Sequence, residues 1–283
     1  MAFAGGTGTI LCVNEQDRFL PEPNRIGLLT STVLLALALA RWIPARGVTF
    51  EVQLPGFLLA LPLDAAALVN VLTAALAAAG MDWLLRGHPS LNGRATFQWW
   101  YLPTLTTFVV SITLSTQPGG TAWVMGFLVG GTLVFFVFLA EYVVVDADSP
   151  HYTLAVAGLT AMSHTLFFVL AVALRLGGVR LYLLLPALFV AGALASLRIM
   201  HLWMGGKWEA GWSLGIGLVC VQLAAGMHYL PLTPVQFGLL LTGPLYGLTS
   251  LAIRLGEGAS VRNAAVEPSI VTALCWGLAL LIR

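Results

Sequence analysis

The chain has 283 residues, of which 59% are hydrophobic and only 9% are charged, and its net charge is +1. Soluble domains carry about 25% charged residues, and a soluble protein of this size could not bury so much apolar surface in one core, so the composition excludes that class. The near-neutral charge shows no clustered basic surface and gives no reason to expect nucleic acid as a partner.

Apolar runs dominate the chain after a polar N-terminal segment, residues 1–25, which lacks the pattern of a secretory signal. A helix needs about 20 residues to cross a bilayer, and the length of each run is close to that number. They predict spans over residues 26–43, 63–85, 99–115, 121–145, 151–174, 180–203, 210–230, 234–254 and 267–282. The expected fold is an all-α polytopic transmembrane helical bundle of about nine spans with short loops, in a single integral membrane domain over residues 1–283.

The connection between the first two spans, residues 44–62, contains an apolar stretch that is interrupted by Pro55 and Pro62. This stretch is too short to cross a bilayer as a helix. We therefore predict an interfacial or re-entrant connection at this point.

Helix starts and helix contacts also leave local signals. Capping residues or a proline in the first turn indicate four helix starts, at Asn24, Ser149, Thr233 and Pro268. Pairs of glycines four residues apart predict close packing between helices. These pairs are Gly126 with Gly130, Gly211 with Gly215, and Gly243 with Gly247.

Nine spans place the N-terminus and the loops after the second, fourth, sixth and eighth spans at one end of the bundle, which we name face A; the opposite end is face B. Ten of the twelve acidic residues and six of the nine tryptophans fall at face A. Lysine and arginine divide eight to five in its favour, which favours face A as the cytoplasmic side. The preference for arginine over lysine is typical of a GC-rich bacterial genome, so we expect the plasma (inner) membrane of a bacterium.

The densest polar group in the sequence comprises Glu141, Asp146, Asp148 and His151, and His201 of the sixth span falls at the same face. Carboxylates and imidazoles are suitable ligands for a divalent metal. One hypothesis is therefore a metal site of Glu141, Asp146, Asp148 and His151, with His201 as a further catalytic candidate. The favoured interpretation is simpler, namely that these residues form the hydrated end of a helical hairpin.

Glu141 is the strongest single candidate for a functional residue, because it lies about one turn inside an apolar run. Ionisable side chains within a membrane are unfavourable unless they are paired. Arg198, which shares a helix face with His201, is predicted to pair with Glu141 or with Glu209. Snorkelling of Glu141 to the interface is the alternative.

His164 lies near the middle of the fifth span, and small residues precede it at Ala157, Gly158 and Ala161. A haem or chlorophyll-type pigment takes an axial histidine in such a setting. The favoured alternative is a neutral histidine that hydrogen-bonds to a hydroxyl on a neighbouring helix, with Thr160 helping locally.

Three function classes remain. The favoured class is a non-catalytic membrane component, that is, a subunit, a scaffold or a binder of lipophilic molecules, because the sequence carries no motif of a characterised membrane enzyme. Its expected partners are the lipid bilayer and other helices in a membrane complex. The alternative is a metal-assisted enzyme that acts on a lipid or polyprenyl substrate at face A, and the third class is a small-molecule transporter. Whether the protein is an enzyme stays open.

Overall fold

A helical bundle makes up the structure, which is a computed structural model that describes residues 21–43, 47–54, 57–88, 91, 96–117, 119–146 and 148–282. Eight helices in these residues are long and apolar enough to cross a membrane, and one further apolar helix is shorter, with 15 residues. The predicted fold class is confirmed. The helices are α1 (Pro23–Ala40), α2 (Ala65–Leu85), α3 (Tyr101–Ser115), α4 (Thr121–Val144), α5 (Tyr152–Leu176), α6 (Leu181–Trp203), α7 (Ala210–His228), α8 (Pro234–Gly256) and α9 (Val261–Leu281).

A β-hairpin connects α1 to α2, in the segment that we predict to be interfacial or re-entrant. Strand β1 (Gly47–Leu54) pairs antiparallel with β2 (Phe57–Asp64). A two-stranded hairpin leaves unpaired backbone groups along both edges, and lipid offers them no hydrogen-bond partner. The interfacial interpretation is therefore the better one. Residues 44–46 and 55–56 of this connection, like residues 1–20 of the polar N-terminal segment, lie outside the described residues.

Two hydrophobic clusters hold the bundle together. The first joins α1 to α4 and includes Val33 and Phe138, and the second joins α3 to α8 and includes Phe167 and Leu188. Helix α9 packs on α8 at the edge of the bundle and leaves most of its surface exposed. Exposed leucine and isoleucine side chains on α9 are suited to lipid contact.

Contacts between helix ends confirm which elements meet at face A. The Arg25 guanidinium near the start of α1 lies 5.7 Å from the centre of the Trp83 ring near the end of α2. Glu141 near the end of α4 forms an ion pair with Arg198 near the end of α6. Tyr101, the first residue of α3, lies against the same arginine.

Face B is defined by hydrogen bonds between other helix ends. Arg175 near the end of α5 donates to the carbonyl oxygens of His228 (3.0 Å) and Leu230 (3.1 Å) at the end of α7. Gln236 near the start of α8 donates to the carbonyl oxygen of Ile282 (2.7 Å), directly after α9. Helices α5, α7 and α9 therefore end at the same side of the bundle. This is expected when consecutive helices run in alternate directions through the bundle.

The start of α8 is the one predicted cap that the structure confirms. The Thr233 hydroxyl accepts a hydrogen bond from the backbone N–H of Gln236 at 3.3 Å, and the Gln236 side chain accepts one from the Thr233 N–H at 2.7 Å. This reciprocal capping box satisfies two backbone donors that the first turn leaves unpaired.

The other three predicted starts are wrong. Helix α1 begins at Pro23, one residue before Asn24, and α5 begins at Tyr152 after His151 rather than after Ser149. Helix α9 begins at Val261, so that Pro268 lies inside it. A proline inside a helix removes one backbone hydrogen bond and its ring crowds the carbonyl four residues earlier. The extra turns of α9 are joined to α8 by an ion pair between Arg254 and Glu267.

Two of the three glycine pairs mark close helix packing, as predicted. A Cβ atom added at Gly130 would lie 2.5 Å from Val110 Cγ1 of α3, and one added at Gly247 would lie 2.5 Å from Thr272 Oγ1 of α9. At Gly211 and Gly215 no atom of the described residues lies within 4 Å of such a Cβ. The close-packing prediction is wrong for that pair, which lines an open groove beside Leu248 and Leu251 of α8.

We expect Gly247→Val to destabilise the protein by about 1–3 kcal/mol, the usual effect of overpacking, because α9 would have to move away from α8. Gly215→Val is the matched control, since it puts the same side chain on a helix where space is open. Thermal unfolding of both variants in detergent measures the difference. Equal losses in the two variants would contradict a close contact at Gly247.

Candidate functional site

The buried ion pair between Glu141 and Arg198 confirms the pairing predicted for Glu141. Both side chains have 0% exposure. Arg198 donates from Nη2 to Glu141 Oε2 and from Nη1 to the carbonyl oxygen of Gln98 at 3.2 Å, and its guanidinium lies 5.7 Å from the centre of the Tyr101 ring. The arginine therefore joins α4, α6 and the segment before α3, and it neutralises the carboxylate inside the bundle.

The structure does not assemble the predicted metal site. Within the described ranges, which include Glu141, Asp146, Asp148 and His151, no three histidine, cysteine, aspartate or glutamate side chains come close enough to hold a metal ion. Glu141 is engaged by Arg198, Asp146 accepts a hydrogen bond from the Asp148 N–H at 3.1 Å, and His151 is exposed. The catalytic role suggested for these residues stays a prediction, and their side chains do not meet at one point in the structure.

The remaining histidines at face A pack against aromatic rings. His201, near the end of α6, stacks on Trp208 of the α6–α7 connection with 4.2 Å between ring centres. His88, which follows α2, packs on Tyr142 at 4.5 Å. Partial burial lowers the pKa of His88, and the Asp146 carboxylate acts in the opposite direction. His88 is thus mainly neutral at pH 7.

A polar cavity of about 390 Å³ lies among α5, α6, α8 and α9. Glu257 and Ala259 line it at the α8–α9 connection, at face A. His164 lies about 18 Å along α5 from that face, and Tyr246 lies about 15 Å along α8 from it. The cavity therefore runs from face A toward the middle of the bundle. Its polar lining comprises Thr160, His164, Trp203, Tyr246, Thr249, Ser250, Arg254, Glu257, Asn263 and Glu267.

His164 lines this polar cavity and carries a hydrogen-bond acceptor without a partner among the described residues. Its Nδ1 lies 2.9 Å from the carbonyl oxygen of Thr160. Because a carbonyl only accepts hydrogen bonds, Nδ1 carries the proton, and in the neutral ring Nε2 then has the free lone pair. That Nε2 atom is buried and has no hydrogen-bond partner in the part of the chain that the structure describes.

Glu267 anchors the opposite wall of the cavity. Its carboxylate accepts a hydrogen bond from the Tyr246 hydroxyl at 2.8 Å and forms the ion pair with Arg254. The Tyr246 ring in turn lies 5.4 Å from the His164 ring, centre to centre. A connected set of polar groups therefore extends from the α8–α9 connection to His164, and it can bind a polar group within the bundle.

A protein-family profile described as a protein of unknown function (DUF5656) matches residues 45–282. The chain belongs to the DUF5656 family. The match covers the hairpin and α2 to α9, and thus every residue that lines the polar cavity. No curated protein and no solved structure matches the chain.

Two of the three small residues before His164 line a different space from the cavity that His164 lines. Gly158 and Ala161 line a different, apolar groove between α4 and α5, together with Phe136. The haem or pigment hypothesis for His164 therefore loses the feature that suggested a flat ligand, although its Nε2 atom is available as a ligand. The hydrogen bond of His164 goes to the backbone carbonyl of Thr160 on its own helix, rather than to a hydroxyl on a neighbouring helix.

Tyr246, Arg254 and Glu267 are functional candidates that the sequence analysis does not single out. Glu267 stands beside Pro268 and is easily mistaken for a helix-start residue. The sequence does contain a pattern that could have indicated their pairing. Arg254 and Glu267 carry opposite charges and lie at similar distances from the short connection between two apolar runs. Opposite charges placed in this way on consecutive spans are suited to pairing across a helical hairpin.

Proposed function

We propose that the protein is a non-catalytic membrane component that binds an amphiphilic molecule in the polar cavity. His164 lines the cavity, and the observation that carries this proposal is its buried Nε2 atom, which lacks a partner among the described residues. An unsatisfied buried polar atom is unfavourable, and a hydrogen-bond donor on a ligand would remove that penalty. The cavity also lies within the size range of small-molecule sites, about 300–1,000 Å³.

The cavity combines polar and apolar walls, which favours an amphiphile over a fully polar solute. Ile199 and Ile253 line it beside the polar groups. A polar head could contact His164 and Glu267 while an apolar tail follows the isoleucines and the surrounding helices. From residue usage and the distribution of lysine and arginine, we place the protein in the plasma (inner) membrane of a bacterium, with the mouth of the cavity on the cytoplasmic side.

We expect His164→Ala to reduce the amphiphile that copurifies with the protein by about ten-fold or more, because the variant lacks the buried acceptor. The measurement is mass spectrometry of molecules extracted from equal amounts of detergent-purified protein. His151→Ala is the matched control, since that histidine is exposed and lines the separate α4–α5 groove.

The same samples distinguish the competing functions. Elemental analysis of wild type and His151→Ala tests the metal-assisted enzyme, which requires a stoichiometric metal in wild type and its loss in the variant. Equal amounts of every copurifying molecule in wild type, His164→Ala and His151→Ala would contradict binding in the polar cavity.

A further inference from the structure

We infer that the molecule bound in the polar cavity is an amphiphilic amine whose protonated primary ammonium group lies between His164 and Glu267. This inference rests on the proposed binding function and specifies the chemistry of the ligand. Hydrogen-bond capacity, charge and the aromatic walls of the cavity support it independently.

The cavity leaves hydrogen-bond acceptors unused. His164 Nε2 is a lone-pair acceptor with no partner among the described residues. Each oxygen of the Glu267 carboxylate accepts one hydrogen bond, from Tyr246 or from Arg254. Because a carboxylate offers about four lone-pair sites, Glu267 can accept further hydrogen bonds from a ligand.

Several donors that line the cavity are already used within the protein. The Tyr246 hydroxyl donates to Glu267, and the Trp203 Nε1–H donates to the Thr160 hydroxyl at 3.1 Å. The Thr249 hydroxyl donates to a carbonyl of its own helix at 2.7 Å. A ligand that brings donors can therefore satisfy His164 Nε2 and the free lone pairs of Glu267. A primary ammonium brings three N–H donors.

The charges of the lining also favour a cation. Among the described residues that line the cavity, Arg254 is the cationic side chain, whereas Glu257 and Glu267 are both carboxylates. With His164 neutral in the tautomer set by Thr160, the lining has one more negative than positive charge. Glu257 is exposed and the Arg254 and Glu267 side chains are 41% exposed, so water and salt reduce the attraction of this excess for a cation without reversing its sign.

Aromatic rings complete the site. Trp203 and Tyr246 both line the cavity, and indole and phenol faces attract an ammonium through the negative charge of the ring face. A carboxylate head would instead meet the Glu267 carboxylate, and Arg254 is already paired. An uncharged hydroxyl head could satisfy His164 but would gain little from Glu257.

The test compares four amphiphiles with the same dodecyl tail, namely dodecylamine, dodecyltrimethylammonium, dodecanol and dodecanoate. An alkylamine is protonated at pH 7, as lysine is. Each is titrated into wild type, His164→Ala and the control His151→Ala in the same detergent, and bound ligand is counted by native mass spectrometry. Non-specific uptake by the apolar surface is common to the three proteins. The part of the binding that is lost in His164→Ala therefore measures binding in the cavity.

Dodecylamine should bind wild type and His151→Ala at least about ten-fold more tightly than dodecanoate, and His164→Ala should lose this preference. Dodecyltrimethylammonium has the charge but no N–H donor, so it should bind more weakly than dodecylamine. If all four bind wild type equally and depend on His164, or if dodecanoate binds most tightly, the ammonium inference is wrong while the amphiphile site stands. If none shows His164-dependent binding, the proposed function itself is wrong.

Discussion

Arg198→Met is expected to destabilise the protein by about 3–5 kcal/mol, the range found when one partner of a buried ion pair is removed. Methionine keeps an unbranched apolar stem but leaves the buried Glu141 carboxylate without its cation. It also removes the hydrogen bond to the Gln98 carbonyl. Unfolding in mixed micelles, followed by tryptophan fluorescence, measures the change.

A double variant, Glu141→Leu with Arg198→Met, should recover most of that stability, because replacing both charges with apolar groups is often neutral or stabilising. Arg254→Met is the matched control on a more exposed ion pair between helices, where both side chains are 41% exposed. Solvent screening reduces its expected effect to about 1 kcal/mol or less. If the double variant is as unstable as Arg198→Met, the contacts of Arg198 with Gln98 and Tyr101 dominate instead of the charge pair.

Glu267→Ala is expected to weaken dodecylamine binding by more than about ten-fold and to shift the preference toward dodecanoate. The ammonium would lose a charge-assisted hydrogen bond, typically about 1.5–3 kcal/mol, and about 1.4 kcal/mol corresponds to a factor of ten in affinity. At the same time, Arg254 would lose its carboxylate partner and become available to an anionic head. Native mass spectrometry with the same two amphiphiles measures both effects.

Glu257→Ala is the control for Glu267→Ala, because it removes the same charge from an exposed position at the mouth of the cavity. Water and salt screen an exposed carboxylate, so we expect a much smaller change in affinity. Tyr246→Phe is a second comparison that keeps all charges and removes one donor to Glu267. Equal effects of Glu257→Ala and Glu267→Ala would show that Glu267 has no special position in the site.

Hydropathy predicted the helices well and their contacts only in part. Each of the nine helices of the described residues overlaps a predicted span, because lipid exposure demands a long apolar run whatever the neighbours are. The glycine pairs show the limit of such patterns. Gly247 and Gly215 lie in identical spacing motifs, yet only Gly247 packs against another helix. A spacing defines a helix face, but only the packing of the bundle decides what that face meets.

The sequence also predicted the candidate site only in part. It indicated single residues of the site but not which residues lie together. Glu141 and His164 stand out because an ionisable side chain within an apolar run requires an explanation. Tyr246 and Glu267 did not stand out, because their role depends on α8 and α9 facing α5 across the polar cavity. The grouping of Glu141 with Asp146, Asp148 and His151 relied on closeness in sequence, and the structure pairs Glu141 with Arg198 instead.

The sequence by itself determined that this is a multi-span helical chain and which end of the bundle carries most of its acids, because the low charge and its position between apolar runs are properties of composition and order. The tertiary structure decided which polar groups meet. The topology offered Arg198 two possible partners, Glu141 and Glu209, and His164 was predicted to bond an unnamed hydroxyl on a neighbouring helix. Pairing of this kind depends on the rotation and contact of whole helices, and side-chain packing sets those through distances that no hydropathy pattern records.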